Sequence, residues 1–416
     1  MLGKGLKIQD PKSILDFFAL LAFFMSGFYF SINDNVMFSQ YLIHALLIPF
    51  YVFYLKKITF HIFTIKILSS IFILSIVYML MKQEYELGFI LRFILLVHVF
   101  VTVSFIFTGE TVSSVFHKYL NVCVFVSALS LLTTVIFFFT GINISEYLSG
   151  ITYKEYGRLL GGAGLSAEPA FFATCLMPAA LYSIIILFEK GTIRFKSLLI
   201  LSAFLLTTSS LAFLSIFVVF VITMFNQLRN KPHIIPIVLP VIGFVTLVLF
   251  NTDFFQLRFN DTMSLISDFD LSTSEGVNIS TYALAVNSSI TVNFALDNYG
   301  LGKGFGLYYS VFDEYIANYD IPNYRDTLPG RGSATSLLLR VTVELGFFAT
   351  LYLIYFTVSN FIRGHINENL NLTYINWALF CSLIAIYLRM GEYFINLIPF
   401  FFVLYISSFE ESKKNE

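Results

Sequence analysis

Apolar runs about as long as a membrane-crossing helix recur along this chain, and that recurrence limits the fold more than any other feature. A helix needs about 20 predominantly apolar residues to cross the hydrocarbon core of a bilayer. Runs at 14–31, 36–55, 60–81, 88–107, 119–140, 169–188, 197–225, 234–250, 335–358, 373–388 and 393–408 come near that length or exceed it. Run 197–225 is too long for one simple span and carries Thr207, Thr208, Ser209 and Ser210 at its middle. It reads as two short helices meeting there, with one long tilted helix as the alternative. The expected fold is therefore an all-α polytopic membrane protein of about twelve transmembrane helices, forming one integral membrane domain over residues 1–416.

Composition agrees. Of the 416 residues 57% are apolar and only 12% charged, whereas a soluble domain carries roughly a quarter charged residues. That excludes a soluble enzyme and a disordered chain. The 25 basic and 26 acidic residues nearly cancel, so no basic face is available for the phosphates of a nucleic acid. Cys123, Cys175 and Cys381 stand far apart inside apolar runs, with neither metal-ligand spacing nor a disulfide framework. The histidines make no HExxH pair and there is no GxSxG elbow, so no catalytic zinc, no other metal and no cofactor is expected. The first apolar run lacks a small-residue cleavage site and is not read as a cleavable signal.

Lysine and arginine set the orientation, since they concentrate on the cytoplasmic side of a membrane. With the N-terminus inside, the short basic stretches at Lys4, Lys7 and Lys12, at Lys56 and Lys57, at Lys190, Arg194 and Lys196, and at Lys413 and Lys414 all fall on that side. Lys82, Lys154, Arg158, Arg258, Lys303, Arg325, Arg331 and Arg389 make a smaller outer set. Both termini are then cytoplasmic, and the two long polar loops, 141–167 and 251–334, lie outside. Long loops in compact proteins are functional or disordered. The second holds Tyr282, Phe294, Tyr299, Phe305, Tyr308, Tyr309, Phe312, Tyr315, Tyr319 and Tyr324, an aromatic load that argues for a folded, partly helical lid. Within it Gly300, Gly302, Gly304 and Gly306 alternate, which permits tight turns and close approach to a ligand. A plain flexible turn is the other reading. No strand precedes this stretch and no Ser or Thr follows Lys303, so it is not a nucleotide P-loop.

The residues able to carry chemistry gather at loop–helix junctions. Arg158 precedes Gly161, Gly162 and Gly164, then Glu168 and Pro169. Pro169 suits a first helical turn, where Ser166 or Glu168 can cap free N–H groups. Alternatively, Glu168 is a carboxylate at the membrane boundary working as a general base. Arg158 is either a surface charge or a guanidinium fork for phosphate oxygens. Arg331, flanked by Gly330 and Gly332, is either an exposed charge or free to reach a ligand. Arg340 and Glu344 share a helix face, either as an internal ion pair or as part of a cavity that intramembrane charges usually face. Arg389 and Glu392 sit in the last outer turn, where a structural pair is one reading. Lys66 is placed to snorkel, and Arg92 either snorkels or joins the site.

These features together resemble the Wzy-type O-antigen polymerase and O-antigen ligase superfamily of bacterial envelopes. The resemblance covers nearly the whole chain: about a dozen spans, a short Arg-bearing outer loop, and a large outer loop before the last three helices. Its local points are Arg158 to Ala173, with Glu168-Pro169-Ala-Phe-Phe-Ala as the most specific part, then Thr207 to Ser210, Gly300 to Gly306, and Ser336 to Gly346. The resemblance implies an enzyme, a metal-independent glycosyltransferase in the bacterial inner membrane. It would join undecaprenyl-pyrophosphate-linked oligosaccharide units, with membrane lipid and a chain-length regulator protein as further partners. Glu168, Arg158 and Arg331 would be catalytic, and Arg340, Glu344, Gly302, Gly304 and Arg389 would bind substrate. Ligases of the superfamily tend to carry a histidine near the end of the large loop, and the stretch Arg331 to Ser336 has none, which favours a polymerase. No Arg follows Ser280-Thr-Tyr282, where some relatives have one, so no phosphate role is assigned there. A lipid-linked oligosaccharide flippase is the rival from another class, although it would more often show two related halves.

Overall fold

In hydrocarbon every backbone N–H and C=O must find its partner within the segment, so long apolar runs become helices. The structure, a computed structural model, describes residues 11–32, 35–55, 60, 62–82, 87–144, 154–156, 159–230, 260, 279–317, 319, 328, 330–363 and 370–414. Among the described residues eight helices precede the large polar segment: α1 (Pro11–Ala22), α2 (Ser39–Tyr54), α3 (Ile62–Lys82), α4 (Leu87–Phe107), α5 (Val112–Thr140), α6 (Pro169–Lys190), α7 (Phe195–Leu206) and α8 (Ser210–Asn230). Within and after it come α9 (Ile279–Asp297), α10 (Tyr308–Ile316), α11 (Leu337–Leu345), α12 (Phe347–Ser359), α13 (Leu370–Arg389) and α14 (Ile398–Lys414). Two short antiparallel hairpins interrupt them, β1 (Tyr29–Ile32) with β2 (Asn35–Phe38), and β3 (Lys154–Tyr156) with β4 (Leu159–Gly161).

Five described helices are long and apolar enough to cross a membrane: Ile62–Met81, Phe89–Phe107, Val112–Thr140, Pro169–Lys190 and Asn371–Arg389. Phe195–Leu206, Ser210–Met224 and Phe347–Ser359 are apolar but shorter. The expected count of twelve full spans is not reached among the described residues, and run 234–250 lies outside them. Three of the other runs are shortened for visible reasons. Run 14–31 stops being helical at Ala22 because its remainder anchors the segment before α6: the Ser26 hydroxyl accepts from Ala167 N (3.1 Å) and Gly27 N donates to Leu165 O (3.0 Å). Run 197–225 breaks at 207–209, where Thr208 is left-handed (φ 48°) and Leu206 O accepts from Gly162 N at 3.1 Å. Run 335–358 is cut at Gly346 into α11 and α12.

The packing centre is α13, which lies against α6, α8 and α14. Both halves of the broken run, α7 and α8, pack on α6. The periphery is apolar and exposed, as at Leu46 and Phe53 on α2, Ile62 and Ile73 on α3, and Phe348 and Tyr355 on α12. Faces of that kind suit lipid contact and would be a liability in water. At one end of the bundle Asp16, fully buried, accepts from Lys12 (3.1 Å), Lys118 (2.8 Å) and Tyr51 (2.8 Å), tying α1, α2 and α5 together. In the turn beside them, burial pushes the Glu110 carboxyl up, and bonds from Lys118 and Ser114 outweigh it and hold it at about 2.

At the other end, α9, α10 and α11 enclose a second small core of Tyr282, Val286, Phe294, Tyr308, Phe312 and Val343. Tyr282, Phe294, Tyr308, Phe312 and Tyr315 of the large loop thus lie on helices and pack together, while Tyr299 is exposed. Burial and the Asp297 carboxylate push the Tyr315 hydroxyl on α10 up to about 12, and it donates to Asp297 at 2.9 Å. The strand of glycines between α9 and α10 lies against the α11–α12 break, where a Cβ at Gly302 would stand 2.5 Å from Glu344 O. Gly302→Ala is accordingly expected to cost about 2 kcal/mol through forced backbone shifts. Gly332, with nothing near its missing Cβ, is the control, and Gly332→Ala should stay within about 0.5 kcal/mol of wild type. Thermal unfolding of the three purified proteins in detergent compares them, and equal midpoints would contradict the close contact at Gly302.

Candidate functional site

A helix that stops inside an apolar bundle leaves its last carbonyls without partners. At the end of α11 these are Val343, Glu344 and Leu345. Lys303 N donates to Val343 O (2.8 Å), Gly304 N to Glu344 O (2.9 Å), and the Tyr78 hydroxyl of α3 to Leu345 O (3.0 Å). On the other side of the break Phe347 N, at the start of α12, donates to Gly300 O at 2.9 Å. The strap 300–304 therefore closes both helix ends, and its glycines are what let two backbones lie this close. Phe305 N then bonds to the Ser75 hydroxyl of α3 at 3.1 Å.

The break aims Arg340 and Glu344 into a buried cluster. Arg340 is 5% exposed and Glu344 1%. Arg340 Nε donates to Glu344 Oε1 (3.0 Å), and its Nη1 to Gly391 O (2.9 Å) and Glu392 Oε2 (3.1 Å). Its guanidinium lies 4.2 Å from the centre of the Tyr393 ring, and the Tyr393 hydroxyl donates to Glu344 Oε2. Tyr308 N adds a bond to Glu344 Oε1 (3.3 Å), and the Tyr308 hydroxyl bonds Asn287 Oδ1. Phe305 packs on Tyr393 at 4.9 Å between ring centres. One guanidinium thus serves two carboxylates, Glu344 and Glu392, and the ring of Tyr393, drawn from two separate stretches of chain.

Two strained loops hold the cluster. Ala334 and Thr335 have φ of 54° and 57°, and Asn396 and Leu397 have 57° and 63°. Left-handed non-glycine residues cost roughly 1–2 kcal/mol each and persist where the surroundings over-determine them. The first pair is pressed onto the turn after α13, where a Cβ at Gly391 would overlap Ser333 O. Ser336 caps α11 by accepting from Leu339 N (3.4 Å) while donating to Tyr387 O (2.7 Å).

The other sequence candidates fall around this end. Arg389, half-buried, donates to the Ser210 hydroxyl of α8 (3.2 Å) and the Ser280 hydroxyl of α9 (3.0 Å). Glu392 turns instead to Arg340, so the structure joins each member of the expected Arg389–Glu392 pair to a different partner. Glu168 is the backbone N-cap of α6, ahead of Pro169, but its side chain makes no capping bond. Ser166 does not cap either, and donates to Phe24 O at 3.0 Å. Two turns into α6, Cys175 Sγ reaches Asn396 Oδ1 at 4.0 Å, which sets α6 beside the turn carrying Glu392 and Tyr393. Arg331 is exposed and held bidentately by Asp313, with both bonds at 2.5 Å. Its hydrogen bonds to that carboxylate raise its already high pKa further. Arg158 lies outside the described residues. Gly302 and Gly304 face the α11–α12 break, and Arg92 stacks on Tyr309 at 4.5 Å with Gly306 against its stem. The sequence did not single out Tyr393, Ser75 or Tyr78. Only Tyr393 had a local cue, its place beside Glu392.

Among the described residues no group of three or more His, Cys, Asp or Glu side chains is placed to hold a metal. Fold and site together define a helical membrane protein with a buried, aromatic-braced charge cluster at one end of the bundle. No known family and no curated protein matches the chain in sequence.

Removing the cation that Glu344 and Glu392 share tests the electrostatics. Arg340→Met leaves Glu344 and Glu392 facing each other with no counter-charge, a loss of about 3–5 kcal/mol for a broken buried pair. Glu344→Gln added to Arg340→Met should recover a large part of that in thermal unfolding. A double variant no more stable than Arg340→Met alone would contradict the charge account.

Proposed function

We propose that this protein is a polymerase that joins undecaprenyl-pyrophosphate-linked oligosaccharide repeat units into O-antigen or a related surface polysaccharide, at the outer face of the bacterial inner membrane. The observation that carries this reading is a meeting of separate motifs. Thr207 to Ser210, Gly300 to Gly306, Ser336 to Gly346 and the Arg389–Glu392 turn are distant in sequence, yet all contribute to one end of one bundle. These include three of the four stretches whose order along the chain resembles the O-antigen polymerase superfamily.

In the proposed reaction an acceptor sugar hydroxyl attacks the anomeric carbon of the donor unit. The new glycosidic C–O bond forms as the C–O bond to the pyrophosphate breaks, the pyrophosphate keeps that electron pair, and the hydroxyl proton passes to a carboxylate. Lipid pyrophosphate is a competent leaving group once its growing charge is met by preorganised donors. Arginine does this with a bidentate fork and without a metal. Arg158, Arg331 and Arg389 are the proposed phosphate cations, and phosphate binding at Arg331 means displacing Asp313. Glu168 is the proposed base. Glu344 is the poorer choice, because Arg340 and the Tyr393 hydroxyl already occupy its oxygens. The Arg340 cluster shapes the floor on which the units sit.

A strain lacking the chain should make lipopolysaccharide capped with a single repeat unit, because flipping and ligation remain intact. Glu168→Gln and Arg158→Ala should give the same single-unit product while still inserting into the membrane. Arg158→Lys should rescue poorly, since a point charge does not replace the planar fork. Bare core with accumulated long lipid-linked polymer would point to a ligase and sink the polymerase assignment. Single units trapped on the inner leaflet would point to a flippase and sink it equally.

A further inference from the structure

The two halves of the broken run 335–358 face different surroundings. α12 has 13 residues, roughly 20 Å of helix against about 30 Å of hydrocarbon. Phe347, Leu351, Tyr355 and Val358 make an exposed apolar stripe from its first turn to its last. α11, which would carry that stripe onward, has no exposed residue. α9 packs against α11 and takes the outward position. The stripe passes directly from α12 to α9. Phe347 N donates to Gly300 O (2.9 Å), and just before that glycine Tyr299 and Leu296 are 90% and 71% exposed, with Val292 a turn earlier at 54%.

Contacts with the long helices fix the depth of this edge. Phe305 N bonds Ser75 (3.1 Å), six residues inside the end of the apolar span of α3 at Met81. Gly306 lies against Arg92, three residues inside the start of the span of α4 at Phe89. The strap that follows α9 is therefore roughly 5–9 Å inside the spans. At the other end of α9 the Ser280 hydroxyl accepts from Arg389 (3.0 Å), the last residue of the span Asn371–Arg389. A helix of 19 residues, roughly 28 Å long, thus descends by only a fraction of its length and lies at a shallow tilt. Its outward face changes along that descent. Thr281, Ala285, Ser288, Val292 and Leu296 share one face by their spacing, with hydroxyls at the shallow end and aliphatic side chains at the deep end. Asn293 and Asp297, the polar residues of the deep half, turn to the hydroxyls of Tyr319 and Tyr315.

We infer that α9 is a membrane-dipping helix, and that Val292, Leu296 and Tyr299 contact the acyl chains of bilayer lipid and separate α11 from them. Depth and continuity choose this occupant, since the edge lies inside the ends of the apolar spans and extends the exposed stripe of α12. A helix lying in the membrane interface buries its apolar face about 5–10 Å, which is the depth of the strap, and tyrosine is enriched at that boundary. The inference is independent of the function proposed above. One edge of the segment expected to be an outer lid is, in this account, held in lipid, and with it the strap that closes the α11–α12 break.

The test uses the full-length protein in phosphatidylcholine nanodiscs holding one copy each. A nitroxide is attached through p-acetylphenylalanine at position 296, which leaves Cys123, Cys175 and Cys381 in place. Positions 351, on the α12 stripe, and 332, exposed beside Arg331, are the lipid and water references. Collisions with dissolved oxygen and with a water-soluble nickel chelate are read by electron paramagnetic resonance. The ratio of oxygen to nickel collisions at 296 should match that at 351 and exceed that at 332 by about an order of magnitude, because a polar solute is kept out of hydrocarbon. Position 281 should fall between 296 and 332. If the variant at 296 fails to fold, 292 on the same edge is read in its place. Nickel collisions at 296 as frequent as at 332 would place the helix in water and overturn the inference. Few collisions with either reagent would mean that protein covers the edge, and would overturn it equally.

Discussion

Everything at the site end depends on a helix that is broken within the bundle and kept satisfied. Three carbonyls, Val343, Glu344 and Leu345, come free where α11 ends. Each unpartnered group would cost about 1–3 kcal/mol in a buried setting, and more where hydrocarbon surrounds it. The sum is comparable to the whole stability of an ordinary domain, so the break exists only because Lys303 N, Gly304 N and the Tyr78 hydroxyl take those carbonyls. Glycine at 302 is a requirement of that contact, since a Cβ there would stand 2.5 Å from Glu344 O, and glycine at 300 suits its left-handed backbone (φ 75°).

From the break the charge cluster follows. Ending α11 at Leu345 leaves Arg340 and Glu344 one turn apart, facing the turn after α13 and away from lipid. A buried ion pair is poor evidence of stability, because desolvation offsets most of its attraction. Its persistence here, with a second carboxylate, the Tyr393 ring and four left-handed residues around it, marks an end of the bundle where charges are held fixed at a cost in stability. The cluster at the opposite end, Lys12, Asp16, Glu110 and Lys118, ties α1 and α5 together, with Tyr51 of α2 bonded to Asp16.

The sequence made some of this legible. The polar residues at 207–210 marked a break in an apolar run, because hydroxyls at the middle of a span demand a local reason. The i,i+4 spacing of Arg340 and Glu344 marked a shared helix face, and the aromatic load of the large loop marked the small core of α9 to α11. The break at Gly346 was not legible, since its cause is a strap more than forty residues upstream. The same distance hid the role of the alternating glycines, which suggested close approach to a ligand and in the structure approach the chain's own backbone. Glu392 was read with its neighbour Arg389, whereas its partner is Arg340, brought to it by the fold. The run 14–31 read as a span because hydropathy does not distinguish apolar residues facing lipid from those, such as Phe23 and Phe24, that pack inside the bundle.

The strap is the central claim, and amide hydrogen exchange of the intact protein tests it most directly. A glycine-rich loop open to water exchanges almost at once, whereas amides bonded to buried carbonyls exchange only with the opening of the unit that holds them. The account predicts that Lys303, Gly304 and Phe347 exchange slowly and in step with α11. Exchange of Lys303 and Gly304 within seconds, while α11 stays protected, would contradict it.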